Sequence, residues 1–328
     1  MPDKTTYTGA WDWAALPDPD WGPVELGPVH RYEWLSLFPL IDRQPRHLPY
    51  ELLADALEAG TVQVAEVGTG TVPEVTVENS GETDVLVLDG EQLVGAKQNR
   101  TVSRTMILPA QATTSIPVSC MEQGRWRFSS VRFAHGGDHS PSKVRRHARE
   151  VEALCTKAMR AASPAMLAQA QGAVWSEISA CSDRLGGRSS TGALDHLYEL
   201  KGRDLDEWSK HFPWVDDQVG LLAFLGARPL GLDLIGGHRL YARLHKQLVR
   251  GYVMDALTAG PTRTIRVGEK TAAPFMERVK RATRTRAPTV GRGEYRVLSG
   301  RVMGGELMDT CGLVHLSAFP ASEESGHN

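Results

Sequence analysis

The residues best equipped for chemistry lie in two polar blocks. The first runs Asp89-Gly90-Glu91 and then, past a short apolar stretch, Gly95-Ala96-Lys97-Gln98-Asn99-Arg100. Its small residues let the backbone turn tightly. Lys97 and Arg100 offer cationic donors and Gln98 and Asn99 neutral ones, a combination suited to a phosphate or carboxylate. A polar turn between strands would carry the same residues. The second block is Ser119-Cys120-Met121-Glu122-Gln123-Gly124-Arg125-Trp126. If a strand entering from Thr113 continues through it, alternation puts Cys120 and Glu122 on one face. Glu122 then orients or deprotonates the thiol, Arg125 favours the thiolate or binds an anion, and Trp126 supplies a stacking wall. The structural alternative is a buried cysteine beside a Glu122–Arg125 ion pair that fastens two parts of the fold. No histidine lies nearby in sequence to complete a Cys-His pair. His315, in Leu313-Val314-His315-Leu316-Ser317, shares a face with Leu313 and Ser317 and reads as a hydrogen-bonded core residue or a further base. Asp233 and Asp255 read as turn or capping residues.

Common signatures fail on register or are missing. Gly90-Glu91-Gln92-Leu93-Val94-Gly95-Ala96-Lys97 nearly spells a phosphate-binding loop, but the lysine comes one residue late and Gln98 stands where a hydroxyl must meet Mg²⁺. There is no G-x-G-x-x-G after a strand, no H-E-x-x-H and no G-x-S-x-G. Cys120, Cys155, Cys181 and Cys311 form no C-x-x-C pair, which disfavours structural zinc and thioredoxin-like redox chemistry. No metal and no cofactor are expected.

A chain of 328 residues predicts about two domains and a sizeable core. Hydrophobic residues at 41% and charged residues at 23% exclude a disordered, collagenous or membrane-embedded chain. Met1-Pro2-Asp3-Lys4 does not resemble a signal peptide, and the longest apolar run, Val219 to Ala227, falls far short of the ~20 residues that span a bilayer. A cytoplasmic, reducing setting with free thiols is expected. The net charge of -2 hides an asymmetry: residues 1–90 carry 4 Lys/Arg against 16 Asp/Glu, net -12, and the remainder 33 against 23, net +10. Two basic clusters, Lys143/Arg145/Arg146/Arg149 and Arg278/Lys280/Arg281/Arg284/Arg286, read as solvated helix faces. Neither has the aromatic interleaving of a nucleic-acid footprint, so nucleic acid is not an expected partner.

These blocks must be held by an α+β chain with a β-sandwich-like N-terminal half, a helical middle segment and C-terminal antiparallel strands with helices. Residues 1–22 read as an irregular Trp-rich arm. Short β-branched runs from Val62 to Val118 suggest a sandwich or a partly closed barrel over 23–138, with Asn79-Ser80-Gly81-Glu82 as one turn. An α+β domain is expected over 139–320 and a disordered tail over 321–328. Ser140-Pro141 and Ser163-Pro164 open helices, with Cys155 and Cys181 on their apolar stripes. A short helix covers Gly192 to Glu199. Val219–Leu225 and Pro229–Leu234 form a hairpin, followed by a helix with Leu240, Leu244, Leu248, Tyr252 and Ala256 on one face. Pro274 is expected to open a helix bearing the second basic cluster, and a four-strand meander, Tyr295–Leu298, Arg301–Met303, Glu306–Met308 and Leu313–Phe319, to end the chain.

Leu88-Asp89-Gly90-Glu91-Gln92-Leu93-Val94-Gly95-Ala96-Lys97-Gln98-Asn99-Arg100 and Ile116-Pro117-Val118-Ser119-Cys120-Met121-Glu122-Gln123-Gly124-Arg125-Trp126 together resemble the ADP-ribosylglycohydrolase- and rhodanese-phosphatase-superfamily-associated domain. Gln171-Gly172-Ala173-Val174-Trp175, Ser190-Thr191-Gly192-Ala193, Gly231-Leu232-Asp233-Leu234 and Val314-His315-Leu316-Ser317 extend the resemblance over roughly residues 35 to 320. Met121 departs from a usually β-branched position. The resemblance implies a context of enzymes that handle ADP-ribose and related NAD-derived phosphoesters, and carries no catalytic residues with it. On this basis the leading expectation is binding or processing of such an anion. Lys97, Gln98, Asn99, Arg100 and Arg125 would hold phosphates, Glu91 or Glu122 would meet ribose hydroxyls or act as a base, and Trp126 would stack. The competing readings are a noncatalytic assembly or interaction module, with a homo-oligomer or protein partner and structural motifs, and a Cys120-dependent enzyme.

Overall fold

The computed structural model of the chain describes residues 23–44, 46–68, 73–157, 163–187, 190–262 and 265–321. The expected N-terminal arm, nearly all of the expected tail and the side chain of Cys155 lie outside these residues. Glu25–Leu26 (β1), His30–Tyr32 (β2), Leu35–Ile41 (β3) and Glu51–Leu52 (β4) come first, followed by the short helix Leu53–Glu58 (α1). Val62–Glu66 (β5), Glu74–Asn79 (β6), Val85–Val87 (β7), Glu91–Gly95 (β8), Arg100–Val102 (β9), Met106–Leu108 (β10), Ala112–Cys120 (β11) and Phe133–His139 (β12) make up the strand-rich part. The helices Ser142–Lys157 (α2), Pro164–Leu185 (α3), Leu194–Leu200 (α4) and Gly202–Ser209 (α5) form the middle. The hairpin Gln218–Leu225 (β13) and Arg228–Ile235 (β14) leads into His238–Ala259 (α6) and Glu269–Lys280 (α7). Thr283–Ala287 (β15), Glu294–Ser299 (β16), Val302–Asp309 (β17) and Gly312–Pro320 (β18) complete the α+β architecture.

Of the two arrangements open for the strand-rich part, the chain adopts a barrel, and it is fully closed, in the order β11-β6-β5-β12-β8-β9. Alternation on β5 and β11 turns Val62, Val64, Ile116 and Val118 into one apolar cluster with Val75, Val77, Leu93, Val102 and Phe133. The small sheet β10-β7-β4 adds Val85, Val87, Met106 and Leu108 to that cluster. Asn79 pins the expected turn: its Oδ1 accepts the Gly81 amide and its Nδ2 donates to the Thr83 and Pro109 carbonyls.

The larger sheet runs β1-β3-β13-β14-β18-β17-β16-β15, with β2 also on β3. It recruits β3 from far up the chain to pair with β13, with β1 and β2 on the other edge of β3. Both its faces are covered, which explains the uninterrupted apolar run in β13: Leu221 and Ala223 face the cluster under α6, whereas Leu222 and Phe224 join Phe275 and Val279 of α7. All five stripe residues of α6 are buried as expected.

Local expectations are corrected at three places. Pro274 lies inside α7, which begins at Glu269. Arg284 and Arg286 are on strand β15, where they pair with Glu306 and Glu294. The pieces 301–303 and 306–308 are one strand interrupted in sequence only by Gly304-Gly305. These glycines permit close approach, since a Cβ at 304 would strike the Ser317 carbonyl and one at 305 the Tyr295 hydroxyl and Arg149.

Arg145 and Arg149 are also not solvated; both are buried where α2 crosses between barrel and sheet. Arg145 donates through Nε to Asp89 at 3.0 Å and through Nη1 and Nη2 to Asp233 at 3.0 and 2.6 Å. Arg149 Nη2 lies 3.0 Å from the same Asp89 oxygen. The Tyr252 hydroxyl donates to Asp233 at 2.7 Å, and His315 sits between the two carboxylates, sharing a 2.6 Å hydrogen bond with Thr105. Burial alone would raise both aspartates, but the guanidiniums outweigh it and hold both carboxyls well below their ordinary range. Gly90, at φ 88°, lets His139 and Arg145 close over the backbone.

Breaking this cluster on one side strands buried charge, so Arg145→Met is expected to lower unfolding stability by about 3–5 kcal/mol in urea titrations. A loss within surface-mutation range would contradict that role. Two other groups give a pH signature. Burial, aided by Arg145, pushes His139 down to about 3, so it stays neutral in the folded chain and its contribution is lost as pH falls from about 6.5 toward 3. Burial pushes Asp255 up to about 6, so the folded state gains stability as pH falls from 6 toward 4. The two oppose each other in the native protein. His139→Leu should therefore gain stability relative to wild type on acidification, by up to about 1.4 kcal/mol per pH unit; a pH-independent difference would refute it.

Candidate functional site

At one end of the barrel the inward alternation changes from valine to polar groups. Val62 and Val64 are followed by Glu66, Ile116 and Val118 by Cys120, and Val102 is preceded by Arg100. The Arg100 guanidinium is wholly buried there. Its Nη1 donates to Gln98 Oε1 at 2.8 Å and to the Cys120 sulfur at 2.6 Å, and its Nη2 lies 3.5 Å from Glu66 Oε1. Cys120 in turn donates to Gln98 Oε1 at 3.2 Å. This polar plug closes the barrel mouth. Glu66 was not singled out from the sequence, although a carboxylate in phase with two inward valines is a readable signal.

The two blocks therefore meet, as a site would require, and they meet by bonding to each other. β11 ends at Cys120, so Glu122 is not on the same strand face; the expected Cys120–Glu122 pairing does not occur. Glu122 instead accepts the Asn99 amide at 3.2 Å and Arg125 Nε at 2.8 Å. Burial would raise its carboxyl, yet bonds from Arg125, Thr191 and Asn99 prevail and hold it below the usual range. Gln98 Nε2 donates to the Glu122 carbonyl at 2.8 Å. Arg125 donates to the carbonyls of Gly95, Ala96 and Arg127, to Ser129 Oγ and to Asn99 Oδ1. Its fork is thus engaged by protein acceptors, and it ties the loop after β11 to the turn between β8 and β9.

Neighbouring segments complete the frame. The Gln171 side chain of α3 takes both backbone groups of Cys120, as a partner strand would. Gly124 bonds the Thr191 carbonyl, and a Cβ there would meet Thr191 Cα at 2.9 Å. Glu91 joins none of these contacts: its carboxylate accepts the Leu88 amide at 2.9 Å and faces His135 at 3.5 Å, which lifts the imidazole against the effect of burial.

Above the plug the character changes. Trp126 and Phe128 are 49% and 58% exposed, and Lys97 Nζ lies 5.2 Å from each ring centre. Arg100 Cζ lies 5.8 Å from the Trp126 ring, so two cations lie near one indole. Residues 123–137 contain Arg125, Arg127 and Arg132 and no Asp or Glu, and Arg127 and Arg132 are exposed. The arrangement offers a stacking surface and a cation on a stiffened loop.

A family model described as the ARG and Rhodanese-Phosphatase-superfamily-associated Protein domain matches residues 23–319. No curated protein and no solved structure matches the chain. No helix among the described residues is long and apolar enough to cross a membrane.

Burial pushes the Cys120 thiol up to about 11 despite the nearby Arg100, so it carries little thiolate at neutral pH. Cys311 is exposed. In the native protein at pH 8, iodoacetamide should modify Cys311 at least ~10-fold faster than Cys120, read by peptide mass spectrometry. Preferential labelling of Cys120 would restore it as a nucleophile.

Proposed function

The chain belongs to the ARG and Rhodanese-Phosphatase-superfamily-associated Protein domain family, and from that premise we propose that it binds a phosphorylated small molecule of the ADP-ribose or NAD-derived type at its barrel mouth. The observation that carries this reading is the half-open indole of Trp126 with Lys97 and Arg100 against it. Stacking suits a base and tolerates its identity, and Lys97 brings a point charge on a flexible stem to a phosphate. Arg127 and Arg132 add a positive field on the same loop.

In this reading the remaining motif residues act as a frame. Gln98, Asn99, Glu122 and Arg125 fix the loop so that little ordering is left to be done on binding. Cys120 is a packed thiol, and Glu91 holds the turn at Leu88 and the His135 ring. The protein is then a binder before it is a catalyst. A cytoplasmic setting, where thiols stay reduced, belongs to the same proposal. One observation favours a second reading: one short segment exposes Trp126, Phe128 and, at 82%, Val131, apolar residues of the kind that dock a partner protein.

Calorimetry with ADP-ribose and with NAD separates the two. Binding is expected with at least ~10-fold weakening in Trp126→Ala and in Lys97→Ala, and with both variants melting within ~2 °C of wild type, since Trp126 is exposed and Lys97 only half-buried. No heat at millimolar ligand, or affinity indifferent to both substitutions, removes the small-molecule reading. A salt-sensitive self-association seen by light scattering and abolished by Trp126→Ala would point to the docking reading.

A further inference from the structure

Two atoms in the floor of the barrel mouth lack a hydrogen-bond partner among the described residues although both are shut away from solvent: Glu66 Oε2 and Arg100 Nε. They belong to joined side chains, with 3% and 0% exposure and 3.5 Å between Glu66 Oε1 and Arg100 Nη2. Gln98 and Cys120 already occupy Arg100 Nη1, and the Lys97 amide lies 3.3 Å from Glu66 Oε1. An acceptor and a donor are thus left over within one ion pair, and buried groups in this condition are uncommon in native proteins because each costs free energy.

A single partner that served both atoms would have to donate to a carboxylate and accept from a guanidinium. A phosphate oxygen satisfies Arg100 and is repelled by Glu66; an ammonium does the reverse. A hydroxyl meets both, through its hydrogen and its lone pairs. We infer that Glu66 and Arg100 read a sugar hydroxyl, which makes the barrel mouth selective for a ribonucleotide over its deoxy counterpart. The inference rests on the binding reading given above and narrows its ligand class. The distances allow it: the Trp126 ring, Lys97 Nζ and the ion pair lie within one nucleotide's reach. Trp126, 49% exposed and 5.8 Å from Arg100, belongs to the irregular segment between β11 and β12, so a solvent-facing ring lies next to the pair. A site built around a hydroxyl rejects the analogue that lacks it, because its own polar groups are then left unpaired.

The test is calorimetry on the full chain with ADP, 2′-deoxy-ADP and 3′-deoxy-ADP. ADP is expected to bind at least ~10-fold tighter than one of the deoxy forms. In the paired variant Glu66→Leu with Arg100→Met, which leaves no lone buried charge, the preference should shrink to within ~2-fold while the far-ultraviolet spectrum is kept. Should that variant not fold, Glu66→Gln, which keeps the shape and removes the charge, should reduce the preference. Equal affinity of wild type for all three nucleotides overturns this inference alone. Absence of binding by any of them overturns the binding reading as well.

Discussion

A buried guanidinium held between two carboxylates, one between β7 and β8 and one on the large sheet, is the contact on which the arrangement of the parts depends. Arg145 rises from α2; Asp89 follows β7 at the edge of the barrel; Asp233 lies on β14 of the large sheet. The apolar clusters of barrel and sheet would each be satisfied by many relative placements, because burial of apolar area is non-directional. The fork geometry of Arg145 permits few. Arg149 on Asp89, Tyr252 on Asp233 and His315 between both carboxylates keep the local charge balanced, without which a cluster this dry would be costly. Such a cluster contributes specificity of assembly more than raw stability.

The same rule operates at the barrel mouth on a smaller scale. A loop rich in Arg, Gln, Asn and Glu looks in sequence like a set of ligand contacts, but in the fold most of those groups have found one another. Their saturation is what makes the loop rigid, and rigidity is what lets Lys97 and Trp126 stand in a fixed relation at the surface. The polar residues that bond one another are therefore the motif's scaffold, and it is the Trp126 ring that faces solvent.

Much of this was legible in the residues and some of it was not. The α6 stripe, the β13–β14 hairpin, the Ser163 cap and the Asn79 turn are local, and local chemistry announced them. The meeting of the two polar blocks was implicit in assigning them one anion, an assignment that rested on the family resemblance, but their saturation of each other was not legible. What escaped depends on distant partners. Arg145 and Arg149 read as a solvated helix face because nothing in the neighbouring residues reveals Asp89 and Asp233 opposite them. The expected Cys120–Glu122 pairing failed because β11 stops at Cys120, the very residue where its inward phase turns from valine to cysteine. Gly304-Gly305 looked like a turn between strands, although in a strand such a pair equally marks a place where another chain segment presses close. The helix Gly202–Ser209, opened by a glycine, had no start signal of the usual kind.

The pairing of β3 with β13 sets an order on folding. All six barrel strands lie within one continuous stretch, residues 62–139, and can pair as soon as that stretch has left the ribosome. Strand β3, made earlier, must wait for a partner that is translated much later, at 218–225. During that interval the apolar strand Leu35 to Ile41, which β1 and β2 pair along one edge only, keeps its other edge open, so the nascent protein is most vulnerable to aggregation after its first unit is complete and before its sheet can close.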